Sequence, residues 1–105
     1  MPQFAVYKNR NAATRARFPF LLDIQSDLLG PLATRVVVPL EAAGQARSRT
    51  MQTLTPSIHV EGSDYLMVTP QLAGVALRDL GPVIGNASPH RQAIIAALDF
   101  LIFGI

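Results

Sequence analysis

The residues of this chain best suited to proton transfer or metal ligation are its two histidines, His59 and His90. His59 falls in a strand-like pattern and His90 in the first turn of a helical segment, and neither has a second ligand at metal-site spacing. Asp23 and Asp27 could form an acid pair, but they flank a polar turn, where solvated carboxylates are the expected reading. Ser26 has no histidine near it in the sequence to activate it. GxSxG, P-loop and HExxH patterns are absent. So is cysteine, which removes disulfides, thiolate metal sites and cysteine nucleophiles. The residue types therefore favour a binding protein over an enzyme, with no metal and no cofactor expected.

Charge narrows the partners. The formal net charge is only +2, too weak for a nucleic-acid footprint, so no direct nucleic-acid contact is expected. The basic residues do cluster, with Arg10, Arg15 and Arg17 in one stretch and Arg47 and Arg49 in another. Two solvated loops are the simplest reading; attraction of an acidic protein segment is the alternative. The lack of cysteine favours the cytoplasm. The opening residues, Pro2-Gln3 into Phe4-Ala5-Val6-Tyr7, do not read as a signal peptide. No apolar run reaches the ~18 residues of a membrane span; the longest, Ile94 to Ile105, is interrupted by Asp99.

These residues must be positioned by one domain, expected to span residues 1–105. Half of the residues are apolar and 15% are charged, which is more apolar surface than a small monomer needs and points to a second buried surface. Strands are expected at Phe4–Lys8, at Phe18–Ile24 and at Arg35–Val38, the last closed or bent by Pro39. Ser57–Val60 and Tyr65–Val68 flank Glu61-Gly62-Ser63-Asp64 and read as a hairpin with a four-residue connection. Val75–Leu77 is a weak last strand. Asn9–Arg17 and Glu41–Thr53 read as loops, the second with a short helical turn. The end of the chain is a helix with Ser88 as N-cap, Pro89 in the first position and Gly104 as the stop. On that helix Ile94, Leu98, Leu101 and Ile105 form a core stripe, with Ile95 and Ile102 at its edge. Phe100 and Phe103 lie off the stripe beside Asp99. Either the sheet curls to bury both rings, or a twin subunit or another partner covers them.

In order and spacing, these segments resemble the CcdB family, toxins of ccd toxin–antitoxin modules. The carriers are Gln3-Phe4 to Tyr7-Lys8, Asp23-Ile24-Gln25-Ser26-Asp27-Leu28-Leu29, Thr34-Arg35-Val36-Val37-Val38-Pro39-Leu40, Pro56-Ser57-Ile58-His59-Val60 and the terminal Phe103-Gly104-Ile105. The resemblance implies a mainly β fold, an SH3-like β-barrel with a small extra sheet and a C-terminal α-helix, assembled as a homodimer. It implies binding to the DNA gyrase A subunit, trapping of gyrase on cleaved DNA, and neutralisation by a CcdA-like antitoxin. The target contacts carried over are Leu28, Leu29, Asp99, Ile102, Phe103, Gly104 and Ile105. This chain departs from the best-known plasmid members in having Phe103 for tryptophan, Asp99 for asparagine and a leucine pair for isoleucines. The two arginine clusters are the expected attraction for the antitoxin. Two other functions stay open. One is a MazF- or Kid-type endoribonuclease on the same fold, with Arg10, Arg17, Arg35 and His59 as candidates. The other is a non-toxic chromosomal copy that still folds and binds antitoxin.

Overall fold

The computed structural model describes residues 2–43 and 49–104, so Arg47 and Ile105 lie outside the described residues. Seven strands alternate in side-chain direction along one curled antiparallel sheet: β1 (Ala5–Asn9), β2 (Phe20–Asp23), β3 (Thr34–Ala42), β4 (Ser57–Val60), β5 (Ser63–Met67), β6 (Ala73–Ala76) and β7 (Leu80–Asn86). A short helix, α1 (Arg49–Leu54), precedes β4, and the chain ends in α2 (Arg91–Phe103). The strand order is β4-β5-β3-β2-β1-β7, and β6 also pairs with β3. This is the mainly β architecture with one C-terminal helix that the sequence leads one to expect. The small extra sheet is not separate, because β3 carries β5 and β6 in succession along one side.

Register explains where the core sits. Val6 pairs with Leu22 and Leu22 with Val38, so these side chains form one row on the same face. With Phe4, Leu40, Ile58, Val60 and Met67 they pack against Ala87, Ile94 and Ala97 at and along the helix. The opposite parity puts Ala5, Tyr7, Leu21 and Val37 on the other face, where Leu80 covers them. Both faces of the central strands are therefore buried, which explains why Val36–Val38 reads as a continuous apolar run rather than an alternation.

Several local readings are corrected. Pro39 does not end its strand; it pairs with Leu21 in the middle of β3. The Ile24 N–H donates to Val36 O, which sets the parity so that Pro39 turns its backbone away from β2. It faces the seam where β6 gives way to β5, so its missing N–H breaks no ladder bond, and its carbonyl accepts from Val68 N at 3.0 Å. The β4–β5 connection is two residues, not four: Val60 pairs with Ser63, with Glu61 at φ 49° and Gly62 at φ 81°. That is the twin positive-φ signature of a type I′ turn. The last strand before the helix is β7, pairing with β1, and not Val75–Leu77. Gly81 is needed there, since a Cβ would lie 2.8 Å from the Lys8 carbonyl oxygen. Ser88 is not the N-cap of α2: it opens a 3-10 turn, Ser88–His90, whose first N–H is met by Asn86 Oδ1 at 2.7 Å. Gly104 does close the helix, in the left-handed conformation at φ 77°.

Candidate protein-binding surface

Core packing uses only part of α2. Ile94 and Ala97 are fully buried, and Leu98 packs beside them. The buried stripe therefore includes Ala97, whose small side chain gave no signal on an apolar wheel. Phe100 and Leu101 are half-buried, while Asp99, Ile102, Phe103 and Gly104 are exposed. Ile102 is 61% exposed and Phe103 71%, so the sheet does not curl round to bury the terminal ring, and Ile102 is not a core-edge residue. The Gly104 N–H donates to Phe100 O at 3.1 Å and fixes the geometry of this last turn.

A second exposed apolar site lies between β2 and β3. Asp27–Leu29 forms a 3-10 turn in which Leu28 is 90% exposed and Leu29 48%. Leu32 adds another exposed leucine just beyond it, a residue the sequence reading missed because it lies in a glycine-proline turn. The turn is capped by Ser26, whose Oγ accepts from Leu28 N. Ser26 is thus a cap rather than a nucleophile. Among the described residues, no hydrogen bond joins this turn to the end of α2.

Polar groups gather behind the leucine turn. Asp23, expected in a solvated turn, is fully buried, because β2 and β3 adjoin and set it against Arg35 at 2.7 Å. Burial pushes the Asp23 carboxyl above the usual carboxylate value, and the bonds from Arg35 and from Gln25 N–H pull it back. Arg35 is likewise fully buried, which removes it from any RNA-contacting set. Asp27 is no partner for Asp23; its Oδ1 accepts from Gln3 N at 2.6 Å.

The first arginine cluster is on the surface. Arg10, Arg15 and Arg17 are exposed in the β1–β2 loop. That loop is ordered by Asn9, whose Nδ2 donates to Thr14 Oγ1 and Phe18 O, and whose Oδ1 accepts from Asn11 N. Arg17 pairs with Glu41 at 3.2 Å and lies over the Phe18 ring. Beside the loop is a cleft of about 200 Å³ lined by Asn9, Asn11, Phe18, Leu21, Val37 and Val75 among others. Arg49 belongs to α1, and its side chain is not among those described. The histidines come together: His59 N–H donates to His90 Nε2 at 3.2 Å, and His59 Nδ1 lies 2.9 Å from Asp64 Oδ1. Among the described residues no group of three or more histidine, cysteine, aspartate or glutamate side chains is placed to hold a metal ion. Among the described residues no helix is long and apolar enough to cross a membrane.

A curled antiparallel sheet packed against a C-terminal helix is a fold found among solved toxin structures. An endoribonuclease from a mycobacterial species, in complex with its cognate antitoxin, superposes with a TM-score of 0.73 at 16% identity, over 94% of this chain and 92% of that one. The endoribonuclease from mycobacterial species gives 0.66 at 16% identity, over 94% and 88%. The Mycobacterium tuberculosis toxin MazF-mt6 gives 0.70 at 14% identity, over 90% and 92%. At such identities the likeness is one of fold. The sequence itself decides the family: residues 3–104 match the family model of the CcdB protein, and the chain belongs to the CcdB family, as its motifs led one to expect. It is accordingly a toxin of a toxin–antitoxin system.

Proposed function

We propose that this chain is a non-catalytic toxin that binds the DNA gyrase A subunit and holds gyrase on cleaved DNA. The observation that carries the reading is the exposure of Leu28, Ile102 and Phe103, at the positions where the family resemblance places the target contacts. Phe103 and Ile102 offer an exposed apolar anchor of the kind found at the centre of protein interfaces, with Asp99 exposed beside them. A ligand that favours one state of its target shifts the target into that state, so preferential binding to the cleaved complex suffices and no chemistry is asked of the toxin. A CcdA-like antitoxin with an acidic segment is the neutralising partner, drawn to Arg10, Arg15 and Arg17; the complex of a fold relative with its cognate antitoxin supports such a partner. The protein acts in the cytoplasm as a homodimer, a second copy covering part of the helix end.

The fold relatives favour a second reading, RNA cleavage. Two of its four candidates are already engaged: Arg35 is buried against Asp23, and Arg17 is paired with Glu41. One experiment separates the readings. Induction in a gyrase-sensitive strain is set beside induction in a strain with resistant gyrase. Killing of the first strain alone, with cleaved DNA accumulating, is expected. Equal killing of both, with RNA fragments appearing, would establish the nuclease instead.

A further inference from the structure

The leucine turn has almost nothing apolar holding it in place. None of the three residues of the 3-10 turn is buried, and Leu28 points nine-tenths of its surface to solvent. A turn without packing is ordered only by its polar contacts. Ser26 Oγ caps the turn from within by accepting from Leu28 N, and one buried side chain ties it to the sheet. Gln25 is 7% exposed, and its Nε2 donates to Leu29 O at 3.0 Å while its Oε1 accepts from Val36 N at 3.0 Å. Its backbone is tied as well: Gln25 N donates to Asp23 Oδ1 at 3.0 Å, and Gln25 O accepts from Arg35 Nη2 at 3.4 Å. Arg35 Nε in turn donates to Asp23 Oδ2 at 2.8 Å. Thus the buried ion pair fixes the backbone of Gln25, and the amide of Gln25 spans from strand β3 to the carbonyl of Leu29. From the outer side, Asp27 Oδ1 accepts from Gln3 N, and Gln3 Nε2 donates to Ile24 O.

We propose that Gln25, seated on the buried Asp23–Arg35 pair, is a positioning residue that holds the Leu28–Leu29 turn in its partner-binding geometry. This rests on the reading that Leu28 and Leu29 contact the gyrase A subunit. The role is one of preorganisation: a turn ordered in the free protein does not have to be ordered during association. Gln25 itself touches no partner, because it is buried. The ion pair is the foundation rather than the contact, since removing either member leaves an uncompensated buried charge and threatens the whole sheet.

The test is a cycle of Gln25→Met, Leu28→Ala and the double variant, each measured for folding, amide hydrogen exchange in the turn and affinity for a gyrase A dimerisation-domain fragment. Methionine keeps the length of glutamine without its amide. The expected result is a folded Gln25→Met protein in which the Leu29 and Gly30 amides, bonded to Ser26 O and Asp27 O, exchange at least about tenfold faster. Its affinity falls by roughly tenfold, and most of that fall disappears in the Leu28→Ala background, because both changes act through one turn. A role confined to general stability would leave the two effects additive. Unchanged exchange and affinity in folded Gln25→Met, or strict additivity, overturns the proposal. If Leu28→Ala alone leaves affinity intact, the partner reading fails separately, and turn exchange still decides whether Gln25 holds the turn. Should Gln25→Met not fold, Gln25→Glu serves, since it retains the acceptor for Val36 N and loses the donor to Leu29 O; the same outcomes apply.

Discussion

Replacing Phe103 by alanine separates a core role from a binding role, because the two move different quantities. Phe103 is 71% exposed, so only about three-tenths of the ring is covered by its own chain. Full burial of such a side chain is worth about 1.5–3 kcal/mol, and the covered fraction therefore contributes about 0.5–1 kcal/mol. Alanine returns a few tenths of a kcal/mol through its better helix propensity. The net loss of stability should thus stay below about 1 kcal/mol, a shift of at most about 4–8 °C in Tm for a domain of this size. A core phenylalanine would instead cost about 3–5 kcal/mol. As a hot-spot anchor, Phe103 should carry about 2 kcal/mol or more of binding, or roughly thirtyfold in affinity. Thermal denaturation at several protein concentrations, run beside calorimetric binding to a gyrase A fragment, measures both. A fall of 15 °C or more (about 3 kcal/mol) with affinity unchanged would refute the anchor assignment. A variant that has become monomeric, with the concentration dependence of the wild-type Tm lost, would place Phe103 between two copies of the chain instead.

Three further outcomes are expected. Asp99 is exposed one turn before Phe103, so Asp99→Asn should leave the melting curve unchanged while weakening gyrase binding severalfold, as titration of the fragment into the variant would show. If Arg10, Arg15 and Arg17 steer an acidic antitoxin tail, its association rate should fall several-fold between low and high salt; a rate indifferent to salt in stopped-flow mixing would remove them from that role. Tyr7 has a buried hydroxyl with no hydrogen-bond partner among the described residues, and burial pushes its phenol above the usual value. A raised folded-state pKa gives stability that is present below the unfolded value of about 10 and lost as pH rises through the folded one. Tyr7→Phe should therefore be neutral or mildly stabilising at pH 7 and should delay alkaline unfolding, as followed by circular dichroism.

The sequence was legible wherever side-chain pattern alone decides structure. The Arg35–Val38 run, the Ser57–Val60 strand and the helix ending at Gly104 all came from local pattern, and each is present. The exposed face of α2 followed from the wheel, except that Ala97 joins the buried stripe and Ile102 leaves it. β7 was hidden because its Gly81, Pro82 and Gly85 mimic a loop; only pairing with β1 makes Leu80–Asn86 a strand. Asp23 was expected in a solvated turn, and nothing in one dimension marked Gln25 or Arg35 as buried. Their burial arises from the adjacency of β2 and β3, a contact that local pattern does not encode. The arginines of the β1–β2 loop were placed correctly at the surface, and the tie of Arg17 to Glu41 required the fold.

Pro39 has a consequence for how the molecule opens. Along that side of β3, residues 34–37 are paired with β6 and residues 40–42 with β5, and the proline stands between the two ladders with no N–H to link them. Unzipping that begins at the free end of β6 meets, at Pro39, a residue held on that side by its carbonyl alone, through the bond from Val68 N. The β6 arm and the β4–β5 hairpin are therefore expected to open as separate units, each releasing its own amides to exchange. Native-state exchange should resolve two sets of amides with different opening free energies, meeting at this residue.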